Sequence, residues 1–222
     1  MKTAHVKLAS QSRYSQSRPH CVPKAPKETA DAHEARTWHE RIHTVDGHVV
    51  IPGMALRNCI SEAAKFLSIQ IPGKGKATYT KHFDSGILIT NHIPLFTPDG
   101  DRVVPPSELG KRKAIASSPA KTKEDDEADA YEPPLNEVWG DWIFTPADGV
   151  AGSGKRVWKC YPIISQWVGN VDVTIVDDTI TEDVFEQVLA QAGLLIGLGR
   201  FRVRNRGTYG RFAVENVSWT RY

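Results

Sequence analysis

A sixteen-residue stretch, GLGRFRVRNRGTYGRF (197–212), carries five arginines, four glycines and three aromatics. Guanidinium forks match phosphate oxygens bidentately, and aromatic faces stack on nucleobases. In an extended chain Arg200, Arg202, Arg204 and Arg206 alternate onto one side. Gly207 and Gly210 let the backbone turn sharply or come close to a ligand, and a positive φ is expected at Gly207. Phe201, Tyr209 and Phe212 are the candidate stacking rings, and Arg211 adds a fifth cation. Arginines alone would fit a solvated strand and hairpin turn. Their interleaving with glycine and aromatic residues favours a single-stranded nucleic acid.

Two further stretches carry phosphate-binding side chains. In PGKGKATYTKHF, Lys74, Lys76 and Lys81 surround Tyr79, but the order GxxxxGK[ST] of a nucleotide-cradling loop is absent. In SQSRYSQSRPH, Arg13 and Arg18 flank Tyr14 among serines, a set of donors suited to phosphate contacts. HERIH (39–43) fits the letters H-E-x-x-H, which on a helix would make His39 and His43 zinc ligands and Glu40 a general base. Its surroundings are polar and short, and Asp31, Glu34 and Asp46 are near it only in sequence, so a zinc protease is a minority reading. No GxSxG is present and the cysteines have no evident catalytic partners. The expectation is a binding protein without metal or cofactor rather than an enzyme.

The totals set the frame. The chain has 222 residues, 40% of them hydrophobic, and a net charge of +2, so charge balance by itself implies no partner. The sign is unevenly spread, basic over 200–211 and acidic over 124–137. Cys21, Cys59 and Cys160 lie far apart without a CxxC, which fits a reducing compartment. No apolar run reaches the length of a membrane span, and MKTAHVKLAS lacks the apolar centre of a signal peptide. A protein of the bacterial cytoplasm is expected.

These residues need elements to hold them. Ala4, Val6 and Leu8 alternate as a first strand. Residues 11–35 are polar and read as a long loop, and HVVIPG as a short strand. Leu56, Ile60, Ala63, Ala64 and Leu67 mark the buried face of a helix, and SGILITNHI reads as the next strand. Residues 97–137 hold six prolines, a basic piece and an acidic piece, and read as a mobile, thumb-like insertion. VWGDWIFTP and KRVWKCYPII suggest a hairpin, and Val171, Val173 and Ile175 a strand. Thr179 and Thr181 are both N-cap candidates, and Thr179 with Glu182 suits a capping box, for a second helix striped by Val184, Val188, Leu189 and Ala192, with Gly193 as its cap. RFAVENVSW alternates as a last strand. The order is that of an α+β, ferredoxin-like or RRM-like βαββαβ fold with an antiparallel sheet, two helices on one face and a long insertion, in a single domain over 1–222.

VVIPGMALRNCISEAAKFL resembles the strand-to-helix junction of the RAMP superfamily, and GLGRFRVRNRGTYGRF resembles that superfamily's C-terminal glycine-rich loop. Ile51, Pro52, Gly53, Leu56 and Arg57 match the first motif, and Gly197, Gly199, Gly207, Gly210 and Arg211 the second. Met54-Ala55 and Asn58 depart from the small polar pair and the glycine of the pattern. RAMP proteins are RRM-like, RNA-binding subunits of CRISPR effector complexes. The resemblance therefore implies RNA as the favoured strand, Arg57 as a further contact, and self-assembly or partner subunits. Its cleaving members use an aspartate after the first strand, a region where this chain has Asp31. The chain also resembles phage and prophage proteins, which keeps open a phage single-strand DNA-binding or annealing protein, as well as a histidine-dependent ribonuclease.

Overall fold

A computed structural model describes residues 1–106, 133–147 and 154–222. The order is β1 (Lys2–Ser10), β2 (Tyr14–Ser15), α1 (Ala30–Thr37), a 3-10 turn (Trp38–Arg41), β3 (Thr44–Val45), β4 (His48–Ile51) and α2 (Gly53–Leu67). Then come α3 (Thr80–Ser85), β5 (Ile87–Leu88), β6 (Ile93–Pro94), β7 (Trp139–Pro146), β8 (Arg156–Ile164), β9 (Val168–Ile175), α4 (Glu182–Gln191) and β10 (Phe212–Arg221). The chain is mixed α and β, and every pairing between named strands is antiparallel.

The largest sheet has the order β10-β1-β9-β5, and smaller ones have the orders β2-β8-β7 and β3-β4-β6. In β1 the alternation puts Ala4, Val6 and Leu8 into the core, beside Val171, Val173 and Ile175 of β9. These side chains join one cluster with Leu56, Cys59, Ile60, Ala63 and Ala64 of α2 and Phe185, Val188 and Leu189 of α4. Both amphipathic helices thus cover the same face. The register of β1 with β10 shifts between Lys7 and Leu8, a bulge that sharpens the local twist. The opposite face carries Thr3, His5, Lys7, Asp172, Thr174, Ser218 and Thr220, with His5 held by Asp172 and Thr220 at 2.7 and 2.9 Å. Among the described residues β1, β9 and β10 put no Phe, Tyr or Trp on that face, so they offer bases no stacking platform there.

Several local expectations change. Residues 11–35 include β2 and most of α1, because Thr29 caps a helix by accepting from the Ala32 N–H at 3.2 Å. SGILITNHI does not form one strand: β5 pairs with β9 and β6 with β4, in different sheets. The basic connector contains α3. Of the two cap candidates Thr181 caps α4, accepting from the Val184 N–H at 3.4 Å, and the Thr179–Glu182 capping box does not form, since the Thr179 N–H donates to Asp177 at 2.9 Å. Gly193 does not end the helix. A π turn over Ala192–Ile196 continues it, and Gly197, at φ 75°, closes it by donating to the Ala192 carbonyl at 2.9 Å. The hairpin of β7 and β8 forms as expected. Of the insertion 97–137, the described ends pack on the body: Val103 is buried, and Val104 bridges Glu137. The remainder, 107–132, lies outside the described residues.

The thiols report on this packing. Burial pushes Cys59 up to about 12 and Cys160 further still, whereas Cys21 is exposed. A thiol-exchange reagent at mildly alkaline pH is therefore expected to titrate one of the three cysteines in the folded protein and all of them after denaturation. Two fast-reacting thiols in the native protein would contradict the packing of α2 or β8.

Candidate nucleic-acid interface

The arginine-rich segment begins where the π turn ends. The buried Cys59 thiol of α2 lies 3.5 and 3.4 Å from the carbonyls of Ala192 and Gly197, and its one S–H is shared between them, adding to the Gly197 N–H bond that closes the turn. The segment is then fastened to the β1–β2 connection. The Gly210 N–H donates to the Arg13 carbonyl at 2.7 Å, the Arg200 N–H to Ser15 at 2.9 Å, and the Gln11 N–H to Arg211 at 2.8 Å. The Arg211 N–H donates to the Ser12 hydroxyl at 3.0 Å. Two stretches nearly 200 residues apart in sequence thereby become one surface.

Inside the segment the chain is not extended. Tyr209 N–H donates to Phe201 at 3.0 Å and Gly207 N–H to Arg202 at 3.1 Å, around a 3-10 turn over Val203–Asn205. Phe201 and Arg206 take left-handed φ values of 56° and 64°. The four alternating arginines thus do not share one face, because the turn's hydrogen bonds fold them around each other. Nor does Gly207 have a positive φ; the left-handed value falls at Gly210, φ 75°. Gly207 is needed for closeness: an added Cβ would collide with the Phe201 carbonyl.

The arginines have different fates. The Arg200 guanidinium lies over the Tyr161 and Phe201 rings, 5.4 and 5.9 Å from their centroids, and donates to the Tyr161 hydroxyl at 3.2 Å. Arg41 also lies over Tyr161, at 5.3 Å, gripped by Glu34 at 2.9 and 2.8 Å. Arg202 and Arg204 converge on Glu62 of α2, at 2.9 and 3.2 Å, and Arg204 sits 5.7 Å over Phe66. Arg206 and Arg211 are exposed, and among the described residues their side chains have no ion-pair or hydrogen-bond partner. Arg13 lies 5.3 Å over Trp139 of β7. It also faces Asp141, whose carboxyl is raised by burial against the opposing pull of the Trp142 backbone N–H that it accepts from and of the Arg13 charge. Tyr209 is partly exposed, its ring edge against Phe201 at 6.0 Å.

Other sequence candidates lie elsewhere. Phe212 is 2% exposed and belongs to the core. Arg18 turns to the Ile42 carbonyl at 3.5 Å. Arg57 donates to the Ile87 carbonyl at 3.3 Å and to that of Asp84, so it fastens α3 to α2. Lys74, Lys76 and Lys81 are exposed, but no hydrogen bond or ion pair among the described residues joins them to the arginine cluster. Tyr79 is 4% exposed, which removes its ring as a stacking surface. HERIH spans the 3-10 turn and then extended chain at Ile42, so His39 and His43 do not share the helical face that the zinc motif requires. Among the described residues no group of three or more His, Cys, Asp or Glu could hold a metal ion. None of their helices is long and apolar enough to cross a membrane.

Glu62, Phe66, Trp139, Asp141 and Tyr161 are the site residues that sequence reading missed. Each comes from an element far away in the chain; Glu62 and Phe66 lie within the 49–67 stretch but at none of its matched positions, and Trp139, Asp141 and Tyr161 lie in no motif. Glu62 had only its position on the solvent side of α2 to mark it.

No protein-family model matches the chain, and no curated protein matches it. Among solved structures, one similar chain belongs to the cryo-EM structure of the Type III-B Cmr-beta bound to cognate target RNA, with a TM-score of 0.48 and 10% identity. The similarity covers 98% of this chain, which spans 60% of the length of that one. Another is the crystal structure of Cmr6 from Pyrococcus furiosus, with a TM-score of 0.39 and 14% identity, covering 96% of this chain and 99% of that one.

Proposed function

We propose that this protein binds single-stranded nucleic acid, RNA in preference to DNA, along the surface formed by residues 11–15, 197–211 and the facing edges of α2 and β7. The observation that carries this reading is that exposed Arg206 and Arg211 and part-exposed Tyr209 lie on a loop fastened by backbone hydrogen bonds to the segment of Arg13, whose guanidinium lies over Trp139, and that none of these three arginines has a carboxylate ion pair among the described residues. Available cations on the same loop as part-exposed rings are what a strand needs, phosphates on guanidinium and bases on rings. RNA is favoured on the resemblance of 49–67 and 197–212 to RAMP motifs. We read β1, α2, β5, β9, α4 and β10 as a ferredoxin-like, RRM-like βαββαβ core within a single domain. Here the strand would pass beside the helices rather than across the polar open sheet face. Residues 97–137 are read as an insertion that meets a neighbouring subunit or the strand, in a ribonucleoprotein assembled in the cytoplasm.

Purification without nuclease tests the reading first: bound RNA is expected to raise the ratio of absorbance at 260 to 280 nm and to be lost to ribonuclease. Co-purifying single-stranded DNA instead would favour the phage DNA-binding alternative. Tyr209→Ala is expected to weaken binding of a labelled single strand by about 1 kcal/mol, the low end for a stacked base because Phe201 already takes part of the ring. The salt dependence should stay unchanged, since no phosphate contact is lost. Wild-type affinity for Tyr209→Ala would remove that ring from the interface.

A further inference from the structure

Glu62 stands apart among the ion pairs of the described residues. Its one carboxylate serves two guanidiniums from a loop 142 residues away, Oε2 meeting Arg202 at 2.9 Å and Oε1 meeting Arg204 at 3.2 Å. One helical turn further on α2, Phe66 leaves 55% of itself exposed with the Arg204 guanidinium over its ring. An exposed phenylalanine beside two cations has no role in the core. The guanidinium fork matches carboxylate and phosphate alike. Two oxygens of one anion, each on its own arginine, is therefore also how a phosphodiester's two non-bridging oxygens would sit.

We propose that Arg202, Arg204 and Phe66 form a single-nucleotide subsite, and that the Glu62 carboxylate occupies its phosphate position until a strand displaces it. The subsite takes one phosphodiester on the two arginines and the attached base on Phe66. Glu62 then acts as a built-in competitor, lowering affinity for loose anions and for strands that cannot also engage Arg13, Arg206 and Arg211. This deepens the reading above and rests on it. The rotation of Glu62 away from the arginines breaks no covalent bond and needs no change in the fold, because its side chain is already 31% exposed.

The test is a double-mutant cycle read by fluorescence anisotropy with a labelled single-stranded RNA oligonucleotide. Glu62→Gln is expected to bind roughly two- to tenfold more tightly than wild type, the scale of two partly exposed ion pairs no longer broken on binding. In the Arg202→Ala/Arg204→Ala background the same substitution is expected to change nothing. An equal gain in both backgrounds would mean only that a negative charge left the surface, and no gain would mean that Glu62 is never displaced; either result overturns the proposal. Phe66→Ala removes an exposed ring and should leave the melting temperature alone while weakening binding roughly fivefold. Full affinity in that variant also overturns it. Wild-type protein that binds no strand at all would instead refute the wider functional reading, so the two failures are separable.

Discussion

Replacing Arg13, Arg206 and Arg211 together by alanine is expected to weaken single-strand binding about a hundredfold, or about 2.7 kcal/mol. Among the described residues none of the three makes a carboxylate ion pair, and the side chains of Arg206 and Arg211 have no hydrogen-bond or ion-pair partner there. The effect therefore reads on binding rather than on folding. Each phosphate contact on a single strand contributes roughly 0.7 to the slope of log K against log salt. Three lost contacts should thus flatten that slope by about two units, with little dependence on base sequence. Anisotropy at several salt concentrations measures both quantities. If the triple variant keeps its affinity and its slope, the loop is a solvated surface feature and the proposed function falls. Arg13→Ala needs one control, a thermal melt, because it leaves the partly buried Asp141 without its facing cation.

Gly210→Val is expected to cost about 3–4 kcal/mol of stability, the largest effect of any single change in the loop. Gly210 is buried at φ 75°, and a Cβ there would run into the Leu198 carbonyl. A left-handed conformation costs an ordinary residue roughly 1–2 kcal/mol, and more when it is β-branched. The collision would also break the hydrogen bonds from Gly210 to Arg13 and from Leu198 to Gly210, which fasten the loop to the body. For a chain of this size the melting temperature should fall by about 6–16 °C. Strand binding should fall with it even though no charge is removed. Gly207→Val makes the same point by another route, since that residue fails through closeness to the Phe201 carbonyl and not through its φ. A melting temperature within a degree or two of wild type for Gly210→Val would show that the loop does not hold this conformation in solution.

Much of the frame follows from the chain alone. The alternation of Ala4, Val6 and Leu8 and the stripe of Leu56, Ile60, Ala63 and Ala64 can bury their apolar faces in only one periodicity each. That determines β1 and α2, and Val171–Ile175 determines β9 in the same way. The density of arginine, glycine and aromatic residues over 197–212 likewise marks an unusual surface before any coordinates are known. Weak local signals failed where a neighbour decided. The cap at Thr29 and the choice of Thr181 over Thr179 depend on which backbone N–H each side chain meets, and SGILITNHI splits because two different sheets compete for its ends. The division of labour among the arginines was beyond any sequence reading. Composition makes Arg200, Arg202, Arg204, Arg206 and Arg211 equivalent. Tertiary contacts from residues at 62, 66 and 161 put the first on a tyrosine, the next two on a glutamate and leave the others to solvent. Ion pairs and ring contacts act over a few ångströms in space. No spacing along the chain encodes which residues the fold will bring within that range.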